Sequence, residues 1–246
     1  VPNPEERPKD FYKTEFDVSG WDNIPVPSSW NIYGIQKDGT QKYGTPIYVN
    51  QPVIFQHKVA VDDWRGGVMR TPPSNWTTFK ARNEVGSYRR EFTIPEDWDG
   101  KEIFINFDGV DSFFYLWING QYVGFSKNSR NTASFNITKY LVKGTNVVAV
   151  EAQDMFRLPG IYRTVALQAV PQLHVRDLVV TPDLDATYTD GELKINADIR
   201  NLGKKAAKGY SMVYSLYANQ LYSDDNTEVN NAGISTPVAV VEAGQE

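Results

Sequence analysis

The sequence predicts an all-β protein: a jelly-roll-like β-sandwich over residues 1–170, followed over 171–246 by an immunoglobulin-like β-sandwich, partial or complete. Three observations predict it. Short apolar runs recur between Gly, Pro and Asn punctuation. Helical periodicity is nearly missing. Aromatic residues reach 13% of the chain, a richness that suits packing within sheets before it suits anything else.

The elements follow in chain order. Up to about residue 50 the pattern is irregular, and Trp21-Asp22-Asn23-Ile24-Pro25-Val26-Pro27-Ser28-Ser29-Trp30 reads as extended chain, because each residue before a proline is pushed out of helical space. Its tryptophans are expected to pin it across a sheet. Residues 56–85 carry Gly66-Gly67 and Pro72-Pro73 and are expected to form long loops. Glu102 to Phe107 places Ile103, Ile105 and Phe107 on one strand face. Phe113 to Ile118 is apolar on both faces, as in a strand covered on both sides. Asn119-Gly120 offers the two positive-φ positions of a tight hairpin, from which Gln121 to Ser126 returns antiparallel. Ile137 to Val142 suits one short helical turn. Thr145 to Glu151 is a buried strand behind the turn Lys143-Gly144, and Thr164 to Leu167 is another strand. Near Pro171 the texture changes. Leu173 to Val180 is a new strand, expected to stop at Thr181-Pro182. Alternation at Leu193, Ile195, Ala197 and Ile199, and again at Tyr210, Met212, Tyr214 and Leu216, predicts sheets with one dry and one wet face. An immunoglobulin-like sandwich needs about 100 residues, hence the expectation that this one is incomplete or irregular.

Composition excludes several function classes. With 246 residues and a net charge of -5, the chain has no basic field to gather phosphates, so nucleic acid is not expected as a partner. No apolar run approaches the ~20 residues of a membrane helix, so no membrane is expected either. Cysteine is absent, which removes disulfides, thiolate metal sites and a Cys nucleophile. His57 and His174 are far apart without zinc-type spacing and read as surface or packing residues. Neither a phosphate-binding glycine loop nor a Gly-x-Ser-x-Gly elbow occurs. The sequons at Asn75 and Asn136 are read as chance matches. The opening Val1-Pro2-Asn3-Pro4 has no signal-like character, which predicts a cytoplasmic or already processed chain.

Candidate site residues lie in two stretches. One is Phe107-Asp108-Gly109-Val110-Asp111-Ser112, leading into Phe113–Gly120. The other is Asp154-Met155-Phe156-Arg157-Leu158-Pro159-Gly160-Ile161-Tyr162-Arg163. A carboxylate beside a rigid turn is held still, and it accepts two or more hydrogen bonds from hydroxyl groups. On residue type alone, Asp111 is equally a turn former or strand-end cap, and Asp154 equally an ion-pair partner of Arg157 or Arg163. Those two arginines read as supports. Tyr115 and Trp117 would stack on a sugar face, but their place in a strand favours packing.

These two stretches, taken in order with Ile24 to Trp30 and Tyr43-Gly44-Thr45-Pro46-Ile47-Tyr48-Val49-Asn50, resemble the N-terminal, galactose-binding-like domain of glycoside hydrolase family 2, most closely its bacterial β-galactosidases. The tail after Pro171 resembles the immunoglobulin-like domain that follows it. The resemblance implies that Asp154 contacts the galactosyl hydroxymethyl group and helps ligate a sodium ion, and that Asp111 binds sugar hydroxyls. It implies no catalytic residue in this chain. The family's two glutamates, about 5–5.5 Å apart, belong to a (β/α)₈ barrel of roughly 250 residues, and no strand–helix alternation occurs here. It implies a galactoside as partner in the full enzyme, magnesium in that enzyme besides the sodium, and a bacterial periplasmic or cytoplasmic setting, periplasmic being favoured. One departure bears on Asp154: the family's longer loop before it is reduced here to Glu151-Ala152-Gln153. The readings that follow are a sugar-binding region without its own catalysis, a freestanding carbohydrate-binding module, or an assembly domain whose exposed apolar patch supports a homo-oligomer.

Overall fold

The computed structural model describes residues 6–44, 85–153, 159–219, 226–229 and 234–244. The chain divides into two compact units, one of Val1–Asp99 with Ile103–Ala169 and one of Gly100–Glu102 with Val170–Glu246.

The first unit is a β-sandwich. One sheet has four strands: β1 (Val85–Thr93), β7 (Thr145–Gln153), β4 (Phe113–Ile118) and β5 (Gln121–Ser126), antiparallel in the order β1-β7-β4-β5. The other has three: β6 (Ala133–Asn136), β2 (Glu102–Phe107) and β9 (Val165–Val170), with β2 at its centre. A two-residue pair, β3 (Val110–Asp111) with β8 (Gly160–Ile161), stands apart from both sheets. Neighbours distant in sequence, such as β1 beside β7, are the crossovers expected of a jelly roll.

The alternation in the sequence explains the core. Ile103, Ile105 and Phe107 from β2 meet Phe114, Leu116 and Ile118 from β4 and Val150 and Ala152 from β7 in one buried cluster. The Phe107 and Phe114 rings lie 4.8 Å apart. On the opposite face of β4, Phe113, Tyr115 and Trp117 are only half-buried, which corrects the expectation of a strand dry on both sides. This outer face is partly covered by the N-terminal segment. Tyr12 stacks on Trp117 with centroids 5.2 Å apart, Phe11 is buried beside it, and the Arg89 guanidinium donates to the carbonyls of Phe11, Lys13 and Thr14. Arg7 pairs with the buried Glu151 at 3.2 Å. An apolar outer face is tolerated because aromatic and cationic groups from Arg7 to Thr14 lie on it. The segment Trp21 to Ser29 is largely irregular, as predicted, and ends in a four-residue helix, α1 (Trp30–Tyr33), that the prolines did not foretell. Its tryptophans do pin it: Trp30 is in the core and Trp21 stacks on Phe11.

The β4–β5 hairpin turns at Asn119 and Gly120 with φ of 49° and 77°, the left-handed pair that the sequence predicts. Behind it lies a buried amide network. Asn146 is fully buried; its Oδ1 accepts from Asn119 Nδ2 (2.7 Å) and from the Val142 amide (2.9 Å), and its Nδ2 donates to the carbonyls of Val142 (3.0 Å) and Gly144 (3.1 Å). A single 3₁₀ turn, Thr138–Tyr140, stands where the short helical turn is expected.

The second unit consists, among the described residues, of antiparallel pairs, in keeping with a partial immunoglobulin-like sandwich: β10 (Leu173–Leu184) with β11 (Gly191–Asn201), β12 (Ser211–Tyr214) with β15 (Ile234–Pro237), and β13 (Tyr217–Asn219) with β14 (Asn226–Glu228). Ile195, Ala197 and Ile199 are half-buried between exposed neighbours, as their alternation requires, whereas Leu193 is exposed. β10 does not stop at Thr181-Pro182 but runs through it, Pro182 pairing with Leu193. A proline, lacking a donor, is tolerated in a strand where its nitrogen faces away from the ladder. His174 is half-buried, its Nδ1 lying 2.9 Å from the Pro171 carbonyl oxygen. Between β10 and β11 the Asp185 carboxylate takes the Thr187 hydroxyl and the amides of Thr189 and Asp190, and these bonds hold its carboxyl at about 2.

Two outcomes are expected. Asn146→Ala strands several buried polar groups at once and should cost roughly 2–4 kcal/mol, read from urea denaturation. The Asp185 carboxyl is depressed on folding, so the turn it organises is fully held above the unfolded value of 3.8 and loosens as pH falls toward about 2. Carbon-detected titration of that carboxyl should show the low midpoint, and Thr187→Ala should raise it.

Candidate functional site

Backbone pairing brings the two sequence-predicted stretches together. Val110 pairs with Ile161 and Asp111 with Gly160. The ladder continues outward, the Arg163 amide donating to the Gly109 carbonyl (3.4 Å) and the Asp108 amide to the Thr164 carbonyl (3.0 Å). A third stretch joins from the other side: the Ser28 amide donates to Ile161 O (2.9 Å) and the Trp30 amide to Pro159 O (3.1 Å). Gly160, at φ 130°, is the crossing point, and a Cβ there would lie 2.7 Å from the Ser28 carbonyl oxygen. Of the fourth stretch, only Tyr43 and Gly44 are described; the Tyr43 hydroxyl donates to Asp22 Oδ2 at 2.6 Å.

Asp111 sits on this ladder, 8% exposed. Its Oδ1 accepts the Ser112 hydroxyl (2.7 Å) and the Ser129 hydroxyl (3.1 Å). Its Oδ2 accepts no hydrogen bond from the described residues. A carboxylate with one oxygen pinned and the other unclaimed is oriented to accept from something that is not yet there, and desolvation makes such a bond stronger than it would be at a surface. Around it the Tyr162 hydroxyl donates to the Ser129 carbonyl, and the guanidinium groups of Arg130 and Arg163 each lie 5.6 Å from the Tyr162 ring. Arg163 is thus a support, as predicted. Ser129, which the sequence reading passed over, lies in the loop after β5 and carries no motif or spacing that would have marked it.

Asp154, with Arg157, lies outside the described residues. Its flanks do not: Gln153 pairs with Phe113, the Gln153 carbonyl accepts the Ser112 amide at 3.1 Å, and Gly160 pairs with Asp111. Among the described residues no group of three or more His, Cys, Asp or Glu side chains could hold a metal ion. Tyr115 and Trp117 pack in the outer aromatic face of the four-stranded sheet, continuous with the half-exposed Tyr122 and Phe125.

A cleft of about 550 Å³ lies elsewhere in this unit, walled by Trp21, Trp30, Tyr43, Val85 and Tyr88, with Asp22 and Lys42 at its rim. Lys42 Nζ donates to Asp22 at 2.8 Å; this bond, then that from Tyr43, holds the Asp22 carboxyl below its usual range, while burial pushes the Tyr88 phenol up. Asp111 is not among its lining residues.

Comparison with known proteins decides the family. Residues 2–171 match the sugar binding domain of the glycosyl hydrolases family 2. The chain belongs to glycoside hydrolase family 2. It is 35% identical over 249 residues to a β-galactosidase of Priestia megaterium, covering 97% of this chain and 22% of that protein. It is 32% identical to the β-galactosidase large subunit of Lactobacillus helveticus, covering 93% of this chain and 37% of the subunit. The chain therefore spans well under half the length of these relatives. Among solved structures, a family 2 β-glucuronidase aligns over 98% of this chain with a TM-score of 0.69 at 18% identity, and a Bacteroides uniformis β-glucuronidase over 98% with 0.65 at 20%. At that identity the likeness speaks for the fold alone, a family 2 β-sandwich architecture.

The crossing at Gly160 makes a prediction. Gly160→Ala combines an unfavourable φ with the Ser28 clash and should cost about 1–3 kcal/mol. Hydrogen exchange should speed up first at the Ser28 and Trp30 amides, which the crossing holds.

Proposed function

We propose that this chain is the sugar-binding region of a β-galactosidase-type enzyme, and that it orients the non-reducing galactosyl residue without breaking the glycosidic bond itself. The observation that carries the reading is Asp111: a nearly buried carboxylate, fixed through one oxygen by Ser112 and Ser129, with the other oxygen free to accept a sugar hydroxyl. The pairing of Gln153 with Phe113 and of Gly160 with Asp111 supports the companion role of Asp154, whose segment starts and ends beside that acid. In this reading Asp154 takes the galactosyl hydroxymethyl group and serves as an oxygen ligand to sodium, a donor type suited to a hard cation. No step of the proposal runs through the ion, and magnesium is assigned to no residue of this chain. The paired carboxylates that cleave the bond come from a barrel beyond these 246 residues.

A second reading, a carbohydrate-binding module in its own right, draws support from the aromatic face of β4 and β5, where Tyr122 and Phe125 are half-exposed.

Amide and aromatic chemical-shift mapping of the chain with lactose, raised to its solubility limit, separates the two. The proposal expects weak binding, with shifts confined to Asp111, Ser112, Ser129 and Gly160 and abolished by Asp111→Ala. Shifts centred on Tyr122 and Phe125 would favour the freestanding module, and no shifts at all would remove Asp111 from sugar contact. Turnover of a nitrophenyl galactoside by the purified chain is expected to be nil; measurable turnover overturns the non-catalytic assignment.

A further inference from the structure

We propose that Ser129, braced by Tyr162, is a positioning residue for Asp111; the proposal rests on the sugar-facing role given to Asp111 above. Ser129 Oγ lies 3.1 Å from Asp111 Oδ1 and 3.3 Å from the Ser112 carbonyl oxygen, so one hydroxyl spans the acid and the backbone that follows it. Ser112, bonded at 2.7 Å to the oxygen of its own chain neighbour, is a local contact whose hydroxyl can turn with the acid. Ser129 is seventeen residues from Ser112 along the chain and belongs to another loop, so it is a fixed external reference.

That reference is held in turn. The Tyr162 hydroxyl donates to the Ser129 carbonyl, and Arg130 Nη1 reaches the Tyr162 oxygen at 3.3 Å. Tyr162 is itself seated over Gly109, where a Cβ would lie 2.7 Å from the ring's Cζ and 2.8 Å from its hydroxyl. The bare glycine is therefore what lets the phenol reach Ser129. Gly109, Asp111 and Tyr162 all lie on or beside the β3–β8 ladder, so the same backbone pairing that presents the acid also presents its brace. The consequence for binding is that Asp111 Oδ2 is aimed before the sugar arrives, and little rotamer entropy is lost on contact.

The test reads the rotamer directly, in the 246-residue chain without sugar. Three-bond couplings from Asp111 Cγ to its backbone nitrogen and carbonyl carbon report χ1. One rotamer is expected in the unsubstituted chain. Ser129→Ala should give averaged couplings, Ser129→Thr should restore them, and Tyr162→Phe, which removes one oxygen and leaves the ring, should give intermediate values. A purely structural role for Ser129 would leave the couplings of a folded variant untouched. Unchanged couplings in both Ser129→Ala and Tyr162→Phe overturn the proposal, and Tyr162→Phe alone decides it if Ser129→Ala does not fold. Lactose titration of the same samples is expected to show about fivefold to tenfold weaker binding for Ser129→Ala, in line with the rotamer freedom the acid regains when its brace is lost. The underlying reading fails separately: if Asp111→Ala leaves the lactose shifts unchanged, Asp111 does not face sugar, whatever the couplings report about its brace.

Discussion

The short ladder between Val110-Asp111 and Gly160-Ile161 is the constraint on which this end of the molecule depends. It is not part of either sheet. It joins the segment leaving β2 to the segment entering β9, and it accepts Ser28 and Trp30 on its far side. Each backbone bond is worth only about 1 kcal/mol net, but together they leave Asp111 no freedom to move independently of Gly160. The ladder in turn depends on residues without side chains. Gly160 lets the Ser28 segment pass at van der Waals distance, and Gly109 lets Tyr162 fold over the turn. The polar end of the sandwich is therefore specified by absences of Cβ as much as by the groups that are present.

Much of the first unit was legible in the sequence because its strands alternate. β2 falls on the residues that period-two reading picks out, β4 on an apolar run and β5 on the return from Asn119-Gly120, whose turn takes the φ values its residues prefer. β1 was not legible: Ser87, Arg89 and Glu91 interrupt any simple pattern, since its outer face binds the N-terminal segment through Arg89 rather than burying apolar groups. The half-buried aromatics of β4 misled for the related reason that an apolar outer row can be shielded by a strap of chain instead of a third layer. β10 runs past Pro182 because, among the described residues, it pairs with β11 alone, and a missing donor on its other side costs nothing.

The candidate site divides along the same line. Asp111 was picked out by the family resemblance, since on residue type alone an acid after Gly-Val reads as a turn former or strand-end cap. That it would lie opposite Gly160 was not legible, since pairing across about fifty residues leaves no periodic trace. Ser129 left none at all. Its contribution is a hydroxyl and a carbonyl placed by the fold, and serine in a polar loop has no sequence context that distinguishes a brace from a solvated residue.

The asymmetry at Asp111 is what separates recognition from structure here. The other buried carboxylate of this unit, Glu151, is matched: Arg7 lies against one oxygen and the Gln153 amide donates to the other. Such a group is complete within the fold and gains nothing from a ligand. Asp111 is nearly as buried, 8% exposed against 5%, yet only one of its oxygens is satisfied by the described residues. Asp111 Oδ2 is not one of the fully buried atoms left without a partner, so it keeps contact with solvent and presents an already oriented acceptor to a donor that displaces water. In the proposed reading that donor is a sugar hydroxyl. An arginine brought to the same oxygen would have closed the site permanently, as Arg7 closes Glu151.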